Sequence, residues 1–137
     1  MREIKFRFID RKTNKIVAYA TLDDLLKKIW YDPYIYAKER VVRFTSDKYI
    51  HSQYTGLRDR NKKEIYEGDI VKVTEEDGTE HIHYVEYKAD KIEYPAFDLY
   101  PEIDVEFNAL QFYVINKQIE IIGNIHQNPE LLEEHNV

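Results

Sequence analysis

The chain has 137 residues, 20 Lys and Arg against 26 Asp and Glu, and no cysteine. This length supports one substantial hydrophobic core, and the missing cysteine excludes disulfides, a thiolate nucleophile and thiolate-built zinc sites. Twelve tyrosines and six phenylalanines exclude the disordered class, while the charge is uneven: residues 1–73 carry 17 cations and 11 acids, residues 74–137 carry 3 and 15. No run approaches the roughly 18 apolar residues of a membrane span. The first residues break their apolar positions with charges, whereas a secretory signal needs an unbroken apolar stretch, so neither export nor a membrane partner is expected.

Ile4, Phe6 and Phe8 alternate with Lys5 and Arg7, the period of a half-buried strand. The polar run 10–14 then turns the chain into a second strand, giving a hairpin. Thr21 and Asp24 have the spacing of a capping box, and Leu22, Leu25, Leu26 and Ile29 fall on one face of a short helix over 22–30, stopped by Pro33. Tyr31, Tyr34 and Tyr36 cluster around that proline; core-edge packing is the simpler reading than a stacking or peptide surface. Residues 41–45 and 49–54 read as strands joined by Ser46-Asp47-Lys48, after which Gly56 opens a polar loop.

Beyond Gly68, Ile70, Val71 and Val73 predict a strand, Glu75-Glu76-Asp77-Gly78 a tight turn, and residues 79–87 the returning strand. Residues 91–98 are extended but contain Pro95, which suits an edge. Residues 107–115 and 119–125, joined by Asn116-Lys117-Gln118, read as another hairpin. Asn128 and Pro129 open a last short helix carrying Leu131 and Leu132. The expected fold is mainly β (α+β), a small SH3-like antiparallel β-barrel preceded by a hairpin and short helix. One domain is expected, with a hairpin-helix-strand part over 1–52, a barrel part over 53–128 and a helical tail over 129–137.

The block at 53–73, Gln-Tyr-Thr-Gly-Leu-Arg-Asp-Arg-Asn-Lys-Lys-Glu-Ile-Tyr-Glu-Gly-Asp-Ile-Val-Lys-Val, resembles the YopX family of small phage and prophage proteins. Residues 1–10 are similar to that family's opening segment, and 119–132, Ile-Glu-Ile-Ile-Gly-Asn-Ile-His-Gln-Asn-Pro-Glu-Leu-Leu, to its closing one. The resemblance implies a phage or prophage origin and a shared fold, and it brings no cofactor and no catalytic residue. The sequence departs from the pattern at Phe8-Ile9, and at Lys62, which stands where the family usually has glycine. A turn needing positive φ there would strain lysine, so either Asn61 takes the left-handed conformation or the loop differs.

His81 and His83 share a strand face, a spacing able to chelate a metal, but no third ligand is evident; a solvent-facing pair beside an acidic turn is the simpler reading, and no metal is assigned. Asp98, Glu102, Asp104 and Glu106 alternate with apolar residues, which is how a half-buried segment shows acids to water; a nucleic-acid mimic is the unusual alternative. The best contact candidates are Arg58, Arg60, Lys62 and Lys63, with Tyr54 and Tyr66 as aromatics beside them. Nucleophile and phosphate-cradle motifs are missing, so the chain is expected not to be an enzyme and to need no cofactor. The leading expectation is a cytoplasmic phage accessory protein acting by protein contacts, as a homo-oligomer or on a host or phage protein. The alternative is a nucleic-acid-binding module using the barrel and loop 58–63.

Overall fold

The alternating pattern near the N-terminus becomes a strand, but a bulge changes its register. In a computed structural model, which describes residues 3–24, 34–37, 40–43, 48–88, 96–105 and 108–135, β1 (Lys5–Asp10) pairs antiparallel with β2 (Ile16–Thr21). Asp10 Oδ1 shapes the turn by accepting from Lys12 N at 2.8 Å and Thr13 N at 3.1 Å. Phe8 lies opposite Ala18 and Ile9 opposite Ile16, leaving Val17 as the extra residue. That bulge is how Val17 and Ala18, though consecutive, both join Phe8 and Ala20 in one buried cluster. Thr21 and Asp24 form the expected reciprocal cap: Asp24 N donates to Thr21 Oγ1 and Thr21 N donates to Asp24 Oδ2. Residues 22–24 are helical, and the rest of the expected helix lies outside the described residues.

Two units divide at Tyr54 and Thr55, inside β5 (Tyr49–Arg58). In the first unit, residues 49–53 of β5 pair with β1, and buried Arg7 donates from Nε to Ser52 Oγ at 3.1 Å. β3 (Tyr34–Ala37) pairs with β4 (Arg40–Arg43). The two segments expected as strands over 41–45 and 49–54 are thus present as β4 and β5, but each pairs with a different partner. The aromatic stretch after Pro33 has strand propensity of its own and supplies β4 with a nearer partner, while β5 crosses to β1. Tyr31 and the side chains of Tyr34 and Tyr36 lie outside what is described.

In the second unit, Gly56 does not open a loop; it sits within β5 at φ +88, a conformation glycine adopts without a Cβ penalty. β6 (Glu64–Tyr66) lies beside β5, and Thr55 Oγ1 donates to Ile65 O at 2.8 Å. A turn at Glu67-Gly68 leads into a sheet of β7 (Asp69–Thr74), β8 (Glu80–Tyr87), β9 (Phe97–Tyr100) and β10 (Ile119–Asn124), in the order β10-β7-β8-β9. The Asp-Gly hairpin forms as expected, with Gly78 N donating to Glu75 O at 2.9 Å and Gly78 at φ +90. β9 is an edge strand, as Pro95 implied, although Pro95 itself lies outside the described residues.

Residues 109–115 are not a strand. They form α1 (Ala109–Ile115), because Asn108 Oδ1 accepts from Gln111 N at 2.9 Å and Asn116 closes the other end. Ala109, Leu110 and Tyr113 face inward at helical spacing. Asp98 Oδ1 also accepts from Leu110 N at 3.2 Å, adding a carboxylate where the helix has orphan donors. α1 packs against β9, and α2 (Glu130–His135) packs against β8. Asn128 meets α2 through its backbone carbonyl, while its side chain accepts from Asn124 N at 3.2 Å. Ile65, Val71, Val73, Val85, Phe97, Leu99, Leu110, Tyr113 and Ile119 form the core of this unit, each large apolar side chain contributing about 1.5–3 kcal/mol by leaving water.

Among the described residues this sheet stays open, and the anticipated closed barrel does not form. β9 and β10 are held apart by β7 and β8, and the segment between them in sequence is spent on α1 rather than on a closing strand. The cap at Asn108 is the feature that decides helix over strand here. Asn108→Ala removes the bond to Gln111 N and the one Asn108 Nδ2 donates to Phe97 O at 2.8 Å. A loss of about 1–2 kcal/mol in urea unfolding is expected.

Candidate functional site

The basic segment at 58–63 is a tightly scaffolded turn. Asp59, 6% exposed, directs Oδ1 at two backbone donors, Asn61 N and Lys63 N, both at 2.9 Å, and Oδ2 at Ile121 N at 3.0 Å. Arg60 N donates to Ile119 O at 3.0 Å, so the turn occupies the outer edge of β10. Lys62 takes the left-handed conformation itself, at φ +67, so of the two alternatives the one that gave it to Asn61 does not hold. Asn61 N and Lys63 N are both fixed by Asp59, and the bond from Lys62 N to Asp59 O at 2.9 Å completes the turn around the strained lysine.

The structure does not bring the six candidate contact residues together as an open platform. Arg58 reaches Glu64 at 3.5 Å and Arg60 reaches Glu120 at 2.9 Å, so both guanidinium groups face a carboxylate. Lys62 and Lys63 are exposed. Tyr66 is 3% exposed and its hydroxyl donates to Glu64 Oε1 at 3.3 Å. Tyr54, in the first unit, is 5% exposed and lies under the Lys5 ammonium, 5.4 Å from the ring centroid. Neither tyrosine presents a free face for stacking, because strand pairing turns both rings inward.

The acidic residues 98–106 also separate. Asp98 is buried and holds Leu99 N and Leu110 N. Glu102 is an exposed partner of Lys88 at 3.1 Å, and Asp104 is exposed; Glu106 lies outside the described residues. No close carboxylate pair arises from Asp98, Glu102 and Asp104.

The histidines do come together, on the inner face rather than towards solvent. Val85 shares their face and is core, and His83 is 6% exposed. His83 Nδ1 lies 2.6 Å from Pro101 O, and its Nε2 lies 2.5 Å from His81 Nδ1. His81 Nε2 lies 3.7 Å from Glu75 Oε1, and the Tyr113 hydroxyl donates to Glu75 Oε2 at 3.2 Å. Burial pushes His83 towards its neutral form, opposed by the Pro101 carbonyl. Desolvation and then the bond to Glu75 push the Tyr113 phenol up to about 12, so it remains a donor. All four ring nitrogens thus face protein atoms, leaving none directed at a substrate or metal. Sequence reasoning missed Glu75 and Tyr113; the apolar Val85 two residues on was the available sign that the histidine face points inward.

A cleft of about 280 Å³ lies between the Glu75-Glu76 turn and the Asn116–Gln118 turn, with Arg60 at its side. It exposes charges of both signs.

Two substitutions separate scaffold from strain in the 58–63 turn. Asp59→Ala strands three backbone donors and should cost about 3 kcal/mol, read from the urea midpoint. Lys62→Gly should move it the other way, gaining about 1 kcal/mol, because only the lysine pays a Cβ penalty at positive φ.

Several findings place the chain among known proteins. The family model described as YopX protein matches residues 5–133. The crystal structure of protein EF1440 from Enterococcus faecalis is similar at a TM-score of 0.59 and 23% identity, covering 94% of this chain and 97% of that one, which shows a shared fold. No curated protein matches. With nearly its whole length matched, the chain belongs to the YopX family.

Proposed function

We propose that this chain is a non-enzymatic phage or prophage accessory protein that works through protein–protein contacts in the host cytoplasm, assembling with copies of itself. The observation that carries this reading is the charge carried by each unit. Residues 1–54 hold 12 Lys and Arg against 7 Asp and Glu, while residues 55–137 hold 8 against 19. In the second unit Arg58, Arg60, Lys72 and Lys88 are already engaged by glutamates at 3.5 Å or less, while Glu76, Asp77, Glu80, Glu102 and Asp104 are exposed. A basic first unit from one copy meeting an acidic second unit from the next is a heterologous contact, steered by charge and sensitive to salt. Phe112 and Ile115, 39% and 69% exposed and one helical turn apart on α1, add apolar area to the acidic unit's surface.

The absence of a directed ring nitrogen at His81 and His83 supports the non-enzymatic reading, since a general base must reach the proton it abstracts. The nucleic-acid alternative is weaker on the same geometry. Two of the four loop cations are paired with glutamates, and both tyrosines are buried.

Light scattering after size exclusion tests the proposal at about 0.05 M and about 0.5 M salt, conditions that change the screening length several-fold. A low-salt assembly that reverts to monomer at high salt is expected. A monomer in both, at micromolar concentration, rejects self-assembly and leaves a host or phage protein as partner, to be sought by pull-down. Salt-sensitive retention of DNA or RNA that is lost in Arg58→Ala/Arg60→Ala would instead favour the nucleic-acid reading.

A further inference from the structure

We propose that the turn joining β1 to β2 is the surface through which one copy of this chain engages the acidic second unit of another. The proposal rests on the self-assembly reading above and names the contact that the basic unit makes. The turn sequence Arg11-Lys12-Thr13-Asn14-Lys15 carries three cations and no acid, and all five residues are exposed. Arg11 N donates to Lys48 O at 2.9 Å, which brings a fourth exposed cation to the same place from a distant segment. Among the described residues, Arg11, Lys12 and Lys15 have no ion pair. The other cationic side chains described in this unit are committed elsewhere: Lys5 lies 3.7 Å from Glu3 and over the Tyr54 ring, and Arg7 is buried against Ser52.

The turn holds these cations on a braced backbone. Asp10, the acid that begins it, accepts through Oδ1 from Lys12 N and Thr13 N, so that oxygen serves the turn rather than the ammonium groups. Asp10 N donates to Lys15 O at 2.9 Å and Asn14 N to Asp10 O at 2.7 Å, with Asn14 in the left-handed conformation at φ 59. Docking then orders little beyond the side-chain stems, which lowers the entropy cost of a contact made mainly by charge.

A surface of exposed ammonium and guanidinium groups is answered by carboxylates, and this chain supplies them. Its second unit holds 19 acids against 8 cations, with Glu76, Asp77 and Asp104 among the exposed ones. Opposite charges steer such surfaces together and fix which of them meet. Nucleic acid is the poorer match. The turn offers a base no aromatic ring to stack on, and a chain of net charge −6 repels phosphate over most of its length.

Light scattering at about 0.05 M salt, over a concentration series, tests the assignment. Lys12→Glu/Lys15→Glu should raise the concentration at half-assembly about tenfold or more, because like charges then meet across the contact. Lys117→Glu, which reverses an exposed cation in the acidic unit, should leave that concentration unchanged or lower it. The opposite signs separate a located contact from an effect of net charge. Backbone groups brace the turn, so the variants keep the fold; Lys12→Gln/Lys15→Gln repeats the test without adding acids and should shift assembly the same way by less. A fluorescently labelled Lys12→Glu/Lys15→Glu chain should be monomeric alone yet co-elute with wild-type assemblies, since its acidic unit is still a target for their turns. Turn variants that assemble like wild type, or a labelled variant that stays monomeric beside wild-type assemblies, overturn the assignment and leave self-assembly standing. A wild type that is monomeric at micromolar concentration removes both. Retention of DNA or RNA that Lys12→Glu/Lys15→Glu abolishes, with assembly unaltered, overturns it in favour of phosphate.

Discussion

The second unit depends on one buried carboxylate. Asp59 accepts from three backbone N–H groups, two within its own turn and one on β10. A carboxylate bonded this way stands in for strand pairing at an edge that would otherwise expose donors and acceptors to other chains. Arg60 completes the same closure from its backbone to Ile119 and from its guanidinium to Glu120. The segment that looked like a basic contact loop is therefore the cover of a sheet edge. Covering that edge accounts for its charge pattern, with an acid inside and the flanking arginines turned to glutamates.

The same constraint explains why the sheet remains open without being unprotected. β10 is covered by the 59–63 turn, and β9 is only four residues long with α1 packed against it. Closing a barrel would require β9 to meet β10, but the intervening chain forms a helix whose buried side chains fill the space beside Leu99 and Val85. Helix and turn together do what barrel closure would have done for the edges.

Local chemistry was legible wherever a side chain answers a neighbouring backbone group. The Thr21/Asp24 cap, the Asp-Gly hairpin and the outer position of β9 were all readable, because each depends on residues a few places apart. Residues 107–115 misled because a short apolar run has no period long enough to separate strand from helix. Asn108 followed three places later by Gln111 held the missing information as an N-cap signal. The choice of partner for β4 was not legible, since strand pairing is settled by contacts between distant segments. For the histidines, parity correctly placed both on one face, but only tertiary packing showed that this face meets Tyr113 and the Pro101 carbonyl.

Charge and burial converge at the hairpin tip. The second unit carries 11 more acids than cations, and such a field disfavours burying a further uncompensated carboxylate. A neutral acid or a carboxylate paired with an imidazolium costs far less to bury than a lone carboxylate, because desolvation penalises uncompensated charge. Tyr113 donates to Glu75 Oε2, while Oε1 lies 3.7 Å from His81 Nε2, outside hydrogen-bond reach. Both side chains, Glu75 and His81, are about a third exposed, so solvent screens the charge there and lowers what it costs the fold.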